Sequence, residues 1–287
     1  MMKVKLTRSS FWIALLLIII IGGCAAHQTT VNAQKYDAAK HDTEVKNALK
    51  EPPVKTIGII GGVSWASSIE YYRLMNEMVR DTLGGVHSAQ ILMFSIEFGE
   101  FSKQERLADQ GDWTLITQTM LDAAQRLKNG GADFIVIASN TLNSLAGIIE
   151  EKVKIPVIHI ADATGEKVRG KGLHTVVLLG TKYTMEQPFY RERLMKYGIK
   201  VVIPNEKERN YINKVIFDEL CANRVEPKSK KEFILIINRL KKEEGAEGVI
   251  LGCTEIPLLI KQEDVDIPVF DTTAIHSETA VKYSLNR

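Results

Sequence analysis

The stretch Gly248-Val249-Ile250-Leu251-Gly252-Cys253-Thr254-Glu255-Ile256-Pro257 decides how this chain is read. Its first four residues are a short apolar segment of the kind that fills a fully buried strand. A small residue follows, then a thiol, a hydroxyl and a carboxylate. The next residues, Ile256-Pro257-Leu258-Leu259-Ile260, have the pattern of a helix start. Pro257 suits a first turn, where its missing N–H would be unpaired in any case. Cys253 is therefore predicted between the end of a buried strand and a helix N-terminus. The unpaired N–H groups and the helix dipole would favour a thiolate there and hold a carboxylate beside it. A buried structural thiol is the competing reading, since free cysteine packs as a small hydrophobe.

A second copy of the pattern favours the functional reading. Phe134-Ile135-Val136-Ile137-Ala138-Ser139-Asn140-Thr141 has the same layout, and Ser139, Asn140 and Thr141 align with Cys253, Thr254 and Glu255. Two matching strand-to-helix corners predict a pseudo-twofold molecule in which each half sends one corner into a shared cleft.

Outward from the corners, strands and helices alternate. Strands are expected over 55–60, 89–97, 133–139, 155–160, 174–180, 200–204, 248–252 and 268–271. Helices are expected over 63–83, within 101–129 as one long helix, and over 141–151, 181–197, 210–222, 230–244, 256–261 and 273–284. The strands are apolar without alternation, which implies mostly parallel sheets covered on both faces, an α/β class. In the first helix, Ile69, Tyr72, Leu74, Met75, Met78 and Val79 are read as the apolar face, Trp65 as core and Ser64 as the N-cap. A dinucleotide site is disfavoured. The glycines run Gly58-x-x-Gly61-Gly62, and Glu97 lies about 35 residues on, where the fingerprint expects about 20.

The globular part is read as two lobes, 54–162 and 163–287, with helix 273–284 free to pack on the first. Ahead of it, Lys3, Lys5 and Arg8 precede the apolar run 11–21, and then Ile21-Gly22-Gly23-Cys24. That run is short for a membrane span and suits a signal peptide. Ile-Gly-Gly-Cys resembles a bacterial lipobox, which implies a signal peptide over 1–23, lipidation of Cys24 and a location in the cell envelope outside the cytoplasmic membrane. An uncleaved anchor and a plain secretory signal are the alternatives. Residues 24–53 are polar, end in Glu51-Pro52-Pro53, and read as a tether. Without the three basic residues of the leader, 34 basic side chains face 35 acidic ones, so no nucleic-acid-binding face is expected. Cys221 and Cys253 are both expected to be free thiols.

With both corners in hand, the chain resembles the aspartate/glutamate racemase family, which uses no pyridoxal phosphate. The resemblance rests on Gly61-Gly62-Val63-Ser64-Trp65 with Tyr71-Tyr72 and Asn76, on His87-Ser88, Gly111-Asp112-Trp113, Ser139-Asn140-Thr141, Gly252-Cys253-Thr254-Glu255-Ile256, and on Phe270-Asp271-Thr272-Thr273 with Ile275-His276. It implies two Rossmann-like lobes, a homodimer, no metal or other cofactor, and proton exchange at the α-carbon of a small acidic amino acid in the cleft. Cys253 and Ser139 take the places of the family's two acid/base residues. The family's usual pair is two cysteines, one per corner, and this chain has Ser139 at the first; a histidine often stands where this chain has Asn143. The resemblance also implies that the Cys253 face handles the L-enantiomer. Asn140, Thr141 and Thr254 are candidates for holding the substrate carboxylate, or for helix capping. His276 is expected either to orient groups near the cleft or to lie on the surface. Glu255 is expected to bond nearby backbone or to lend charge from behind, without a catalytic role. Two other readings stay open: a one-cysteine lyase, isomerase or decarboxylase, and a lipid-anchored protein that captures a small carboxylate.

Overall fold

The computed structural model describes residues 54–108 and 110–287. The leader, Cys24 and the tether to residue 53 lie outside the described residues. None of the described helices is long and apolar enough to cross a membrane.

Two four-stranded parallel sheets carry the fold. The first contains β1 (Ile57–Gly61), β2 (Ile91–Ser95), β3 (Phe134–Ile137) and β4 (Val157–Ile158), in the order β2-β1-β3-β4. The second contains β5 (Thr175–Gly180), β6 (Lys200–Val202), β7 (Gly248–Gly252) and β8 (Val269–Asp271), in the order β6-β5-β7-β8. The two orders are the same, so the repeat seen at the corners extends to whole sheets. Strands β1, β3 and β7 are buried along their full length, as unalternating apolar strands with helices on both faces must be. Separate apolar clusters fill both faces of each sheet.

Helices α1 (Trp65–Leu83), α2 (Phe98–Ala108), α3 (Thr114–Asn129) and α4 (Ala146–Val153) cover the first sheet. Helix α5 (Ile160–Gly170) joins the two sheets. It is followed by α6 (Lys182–Glu186), α7 (Pro188–Lys196), α8 (Glu206–Asp218), α9 (Pro227–Glu244), α10 (Ile256–Leu259) and the terminal α11 (Thr272–Ser284). Helix α11 belongs to both clusters of neighbours: Ile275 packs with the second sheet, while Ala280 and Val281 pack with Ile57, Tyr71 and Met75 of the first.

Several expectations need correction. The single long helix within 101–129 is two helices, because Gly111 adopts a φ of +96°, which ends one helical run and starts another. The helix expected over 181–197 breaks at Gln187-Pro188; the residue before a proline is held extended, and the proline opens α7. On α1, Ser64 is the N-cap as expected, accepting from the Ser67 N–H. The buried stripe, however, is Ser67, Ser68, Tyr71, Met75 and Val79. Trp65, Ile69 and Tyr72 are 67%, 56% and 54% exposed. Ile69 and Tyr72 sit one residue, about 100° of rotation, beyond Ser68 and Tyr71. Two small serines face inward where an apolar periodicity rule looks for large side chains.

Candidate active site

In a parallel sheet, chemistry gathers beyond the carboxyl ends of the strands, where crossovers leave in opposite directions. Here β1 and β3 are adjacent and so are β5 and β7. Four strand ends therefore supply the candidate residues: Ser64 and Ser67 after β1, Ser139 to Thr141 after β3, Thr181 and Thr184 after β5, and Cys253 to Glu255 after β7. Gly62, at the β1 turn, has a φ of +94°, and a Cβ there would lie 2.2 Å from the Ile96 carbonyl oxygen. Only glycine lets the chain turn so close to β2 and deliver Ser64 to the seam.

The Cys253 corner is a closed set of polar side chains. Cys253 Sγ donates to Glu255 Oε2 at 3.0 Å, and Thr254 Oγ1 donates to the same oxygen at 2.8 Å. From the other sheet's helix α1, Ser64 Oγ donates to Glu255 Oε1 at 3.2 Å, and Ser67 Oγ bonds Thr254 Oγ1 at 2.5 Å. Cys253 and Glu255 are buried. Burial pushes the Cys253 thiol well above its usual range, and the Glu255 charge and hydrogen bond push it further. This corrects the expectation of a helix-stabilised thiolate. Helix α10 is a single turn, too short to contribute much dipole, and a carboxylate faces the sulfur. Cys253 Sγ is held as a hydrogen-bond donor to the Glu255 carboxylate.

Cys221 is the second free thiol and is exposed, on the 3-10 turn Leu220–Ala222. That turn packs against α10. Its thiol is pushed up to about 12 by desolvation of the sulfur and then by Glu255 and Glu105. The residue is exposed overall, but its sulfur is partly desolvated and lies within reach of the Glu255 charge, although its distance in sequence gave no hint of this.

The Ser139 corner is built differently. Its helix is preceded by a 3-10 turn, Thr141–Leu145, and Ser139 Oγ accepts a 3.4 Å bond from the Leu142 N–H. Asn143 does not serve the serine hydroxyl. Its Nδ2 donates to the Ile137 and Ser139 carbonyls and its Oδ1 accepts from the Ile160 N–H, which fastens the corner to α5. Asn140 Nδ2 donates to Thr272 Oγ1, whose hydroxyl donates to the Leu251 carbonyl, so the two corners are tied through the start of α11. Asn140 Oδ1 is buried and finds no hydrogen-bond partner among the described residues. Thr141 Oγ1 crosses to the second sheet's side, 3.2 Å from Thr184 Oγ1 and 3.4 Å from Thr181 Oγ1. Beside them Trp113 and Tyr183 pack face to face at a tilt, with ring centroids 4.9 Å apart.

His276 is neither on the surface nor turned toward a reacting group. It is fully buried. Its Nε2 bonds the Ile158 carbonyl at 2.8 Å, and a carbonyl can only accept. Nε2 therefore carries the proton, and Nδ1 accepts from the Tyr71 hydroxyl at 2.9 Å. Burial lowers its pKa to about 4. His276 pins α11 to β4 and α1. His159, which sequence reasoning passed over, is a buried cap: its Nδ1 accepts from the Ala161 N–H at the start of α5. Among the described residues no group of three or more His, Cys, Asp or Glu is arranged to hold a metal ion.

The chain is thus a two-lobed α/β protein of two parallel sheets that meet through their strand-end corners, with a thiol–carboxylate contact at the seam. The model of the Asp/Glu/hydantoin racemase family matches residues 60–280, and the chain belongs to that family of isomerases. The solved structure of a Yersinia pestis protein provisionally named an Asp/Glu racemase is 43% identical, covers 80% of this chain and 99% of its own, and superposes with a TM-score of 0.75. An aspartate racemase homologue from Pyrococcus horikoshii OT3 is 35% identical over the same shares, with a TM-score of 0.70. The broad specificity amino-acid racemase RacX of Bacillus subtilis (strain 168) is 24% identical over 166 residues, 57% of this chain and 70% of that protein.

Proposed function

We propose that the protein racemises a small acidic amino acid, aspartate or glutamate, by removing and returning the α-proton, with Cys253 as the principal acid/base and Glu255 as its proton acceptor. The observation that carries this is the 3.0 Å contact between Cys253 Sγ and Glu255 Oε2, at the second corner of a chain in the racemase family.

The thiol and the carboxylate share one proton. A protonated thiol beside a carboxylate and a thiolate beside a carboxylic acid have the same total charge. Passing the proton from sulfur to Glu255 generates a thiolate without adding charge to the buried seam. The thiolate can then take the substrate α-proton, while hydroxyl donors around the substrate stabilise the carbanion's charge. The cluster of Thr141, Thr181 and Thr184 suits the substrate carboxylate. Its mutual bonds of 3.1 to 3.4 Å are long for hydroxyls, so an anion can replace them. Thr254 already uses its one side-chain proton on Glu255 and Asn140 uses one of its two amide protons on Thr272, whereas Thr141 makes only long bonds, which makes Thr141 the strongest of the three expected carboxylate holders.

On the opposite face Ser139 must act as the partner. A serine hydroxyl is a weak acid and needs a base at hydrogen-bond distance to abstract a proton. Among the described residues the Ser139 hydroxyl oxygen accepts from the Leu142 N–H. One corner is thus equipped for proton abstraction and the other for little more than protonation. The same asymmetry favours, as a second reading, a one-base reaction in which Cys253 handles a proton on one face of an enolate-like intermediate.

Incubating the purified protein with L- and D-aspartate and L- and D-glutamate in D₂O, with the α-proton followed by NMR and the enantiomers by chiral separation, tests the proposal. Loss of the α-proton with inversion supports the racemase; loss without any inversion supports the one-base reading. No exchange with any of the four rejects both for these substrates.

A further inference from the structure

We infer that Ser67, on α1 of the first lobe, is a positioning residue for the proton-transfer pair of the second lobe, acting on Glu255 through the Thr254 hydroxyl. The inference rests on the reading of Cys253 and Glu255 as that pair.

The direction of each bond in the seam follows from its chemistry. An ionised carboxylate can only accept, so Cys253 Sγ–H, Thr254 Oγ1–H and Ser64 Oγ–H all point at Glu255. Thr254 has one proton, and it is committed to Glu255. Its oxygen therefore accepts from Ser67. The Ser67 backbone N–H in turn bonds Ser64 Oγ at 3.5 Å. The first turn of α1 thus controls both hydroxyl donors on the carboxylate, one directly and one through Thr254, over sequence separations of 191 and 187 residues. Ser67 is only 4% exposed, so water has little access to replace its proton.

A hydroxyl rotor such as Thr254 Oγ1–H chooses among acceptors, and an incoming donor restricts that choice while polarising the outgoing bond. With Ser67 in place, the Thr254 proton stays on Oε2, and Oε2 stays opposite the Cys253 sulfur. Without it, Thr254 is free to turn, the carboxylate loses a donor, and its charge is less compensated. The uncompensated charge beside the sulfur disfavours a thiolate, and an acceptor oxygen no longer held opposite the sulfur takes its proton less readily. The other ionisable groups acting on this pair are Cys221, on the 3-10 turn against α10, and Glu105 of α2, which acts on Cys221. Because Ser67 and Thr254 lie on different lobes, the contact also makes the state of the pair depend on how the lobes meet.

The test is Ser67→Ala in the full chain, with two readouts. The first is the pH profile of α-proton exchange. The second is the pH dependence of iodoacetamide alkylation of Cys253, resolved from Cys221 by peptide mass spectrometry. Ser67→Ala is expected to lower kcat for exchange about 10-fold with KM nearly unchanged, and to move both the acid limb and the alkylation curve upward by roughly 0.5–1 pH unit. Ser67→Thr, which keeps the hydroxyl, should restore both. Thr254→Val should shift the curves the same way, and Ser67→Ala should then add nothing to it, the signature of residues acting in one chain; this variant carries the test should Ser67→Ala fail to fold. Curves that stay in place in folded Ser67→Ala, or a full additive effect on top of Thr254→Val, overturn the inference. Should the wild type exchange no acidic amino acid, the proposed function falls, and the alkylation curves alone decide the role of Ser67.

Discussion

The two corners share a strand order, a sheet register and a sequence layout, yet they differ where chemistry is concerned. At the second corner the residue two after Cys253 is a carboxylate, which reaches back to the sulfur. At the first corner the residue two after Ser139 is Thr141, which reaches across to Thr181 and Thr184. The next position but one, Asn143, is absorbed into holding β3 to α5. A duplicated backbone therefore presents a thiol hydrogen-bonded to a carboxylate on one side and, among the described residues, a hydroxyl bonded to a backbone N–H on the other. Symmetry of fold does not impose symmetry of pKa, because the latter depends on single side chains a few ångströms away.

The largest effect should come from removing the thiol. Cys253→Ala is expected to reduce α-proton exchange by about 10³-fold or more, with the circular dichroism spectrum retained, since the change deletes one buried sulfur. Exchange at the wild-type rate in a folded Cys253→Ala protein would break the comparison between corners at its root.

Glu255→Gln comes next, with an expected loss of roughly 10²-fold. It also has a signed spectroscopic consequence. The carboxylate charge and hydrogen bond both hold the proton on Cys253, so the amide variant should form thiolate, and alkylate, at lower pH than wild type. Slower exchange combined with easier thiolate formation would separate proton acceptance by Glu255 from simple packing. A thiol titration that moves upward instead would show that Glu255 does not act on the sulfur as drawn.

A smaller effect, on stability, concerns the helix that ties the corners together. Thr272 at the start of α11 links Asn140 to the Leu251 carbonyl, and His276 one turn later anchors the helix. His276 has a folded pKa of about 4 against an ordinary 6.5. The unfolded chain takes up that proton first, so the stabilisation is complete above about pH 6.5 and is lost as pH falls toward 4. The linked change is of order 3 kcal/mol. Urea midpoints measured from pH 7 down to pH 4 should fall along this window, and His276→Leu should flatten the part of the slope that this residue contributes. An unchanged slope in that variant would remove His276 from the account of acid sensitivity.

Much of the architecture was legible in the chain itself. Unalternating apolar runs such as 134–137 and 248–252 could only be buried parallel strands, and the match between the Ser139 and Cys253 stretches announced the repeat. Helix breaks were less legible, since Gly111 and Pro188 act through backbone angles that a side-chain periodicity does not record. At the site, the nucleophile-type residues could be named but not their partners. Ser67 contacts Thr254, and Tyr71 contacts His276, across 187 and 205 residues, separations at which local pattern carries no information. The role of Glu255 was hidden for another reason. Its closeness in sequence to Cys253 was plain, but whether its side chain turned toward the sulfur or the backbone depended on Ser64 and Thr254, which fix it from both lobes.

The difference between the corners is tested most directly by following α-proton loss from each pure enantiomer of aspartate in D₂O, before equilibrium, for the wild type and Ser139→Cys. Because the equilibrium between enantiomers is balanced, the asymmetry must show in exchange that precedes inversion. The enantiomer facing Cys253, expected to be the L form, should lose its α-proton in the wild type much faster than it inverts, and the other enantiomer should lose its own slowly. Ser139→Cys should raise exchange on the slow enantiomer. Equal loss from both enantiomers in the wild type, with Ser139→Ala leaving both rates unchanged, would contradict the claim that the two corners are unequal acid/base partners.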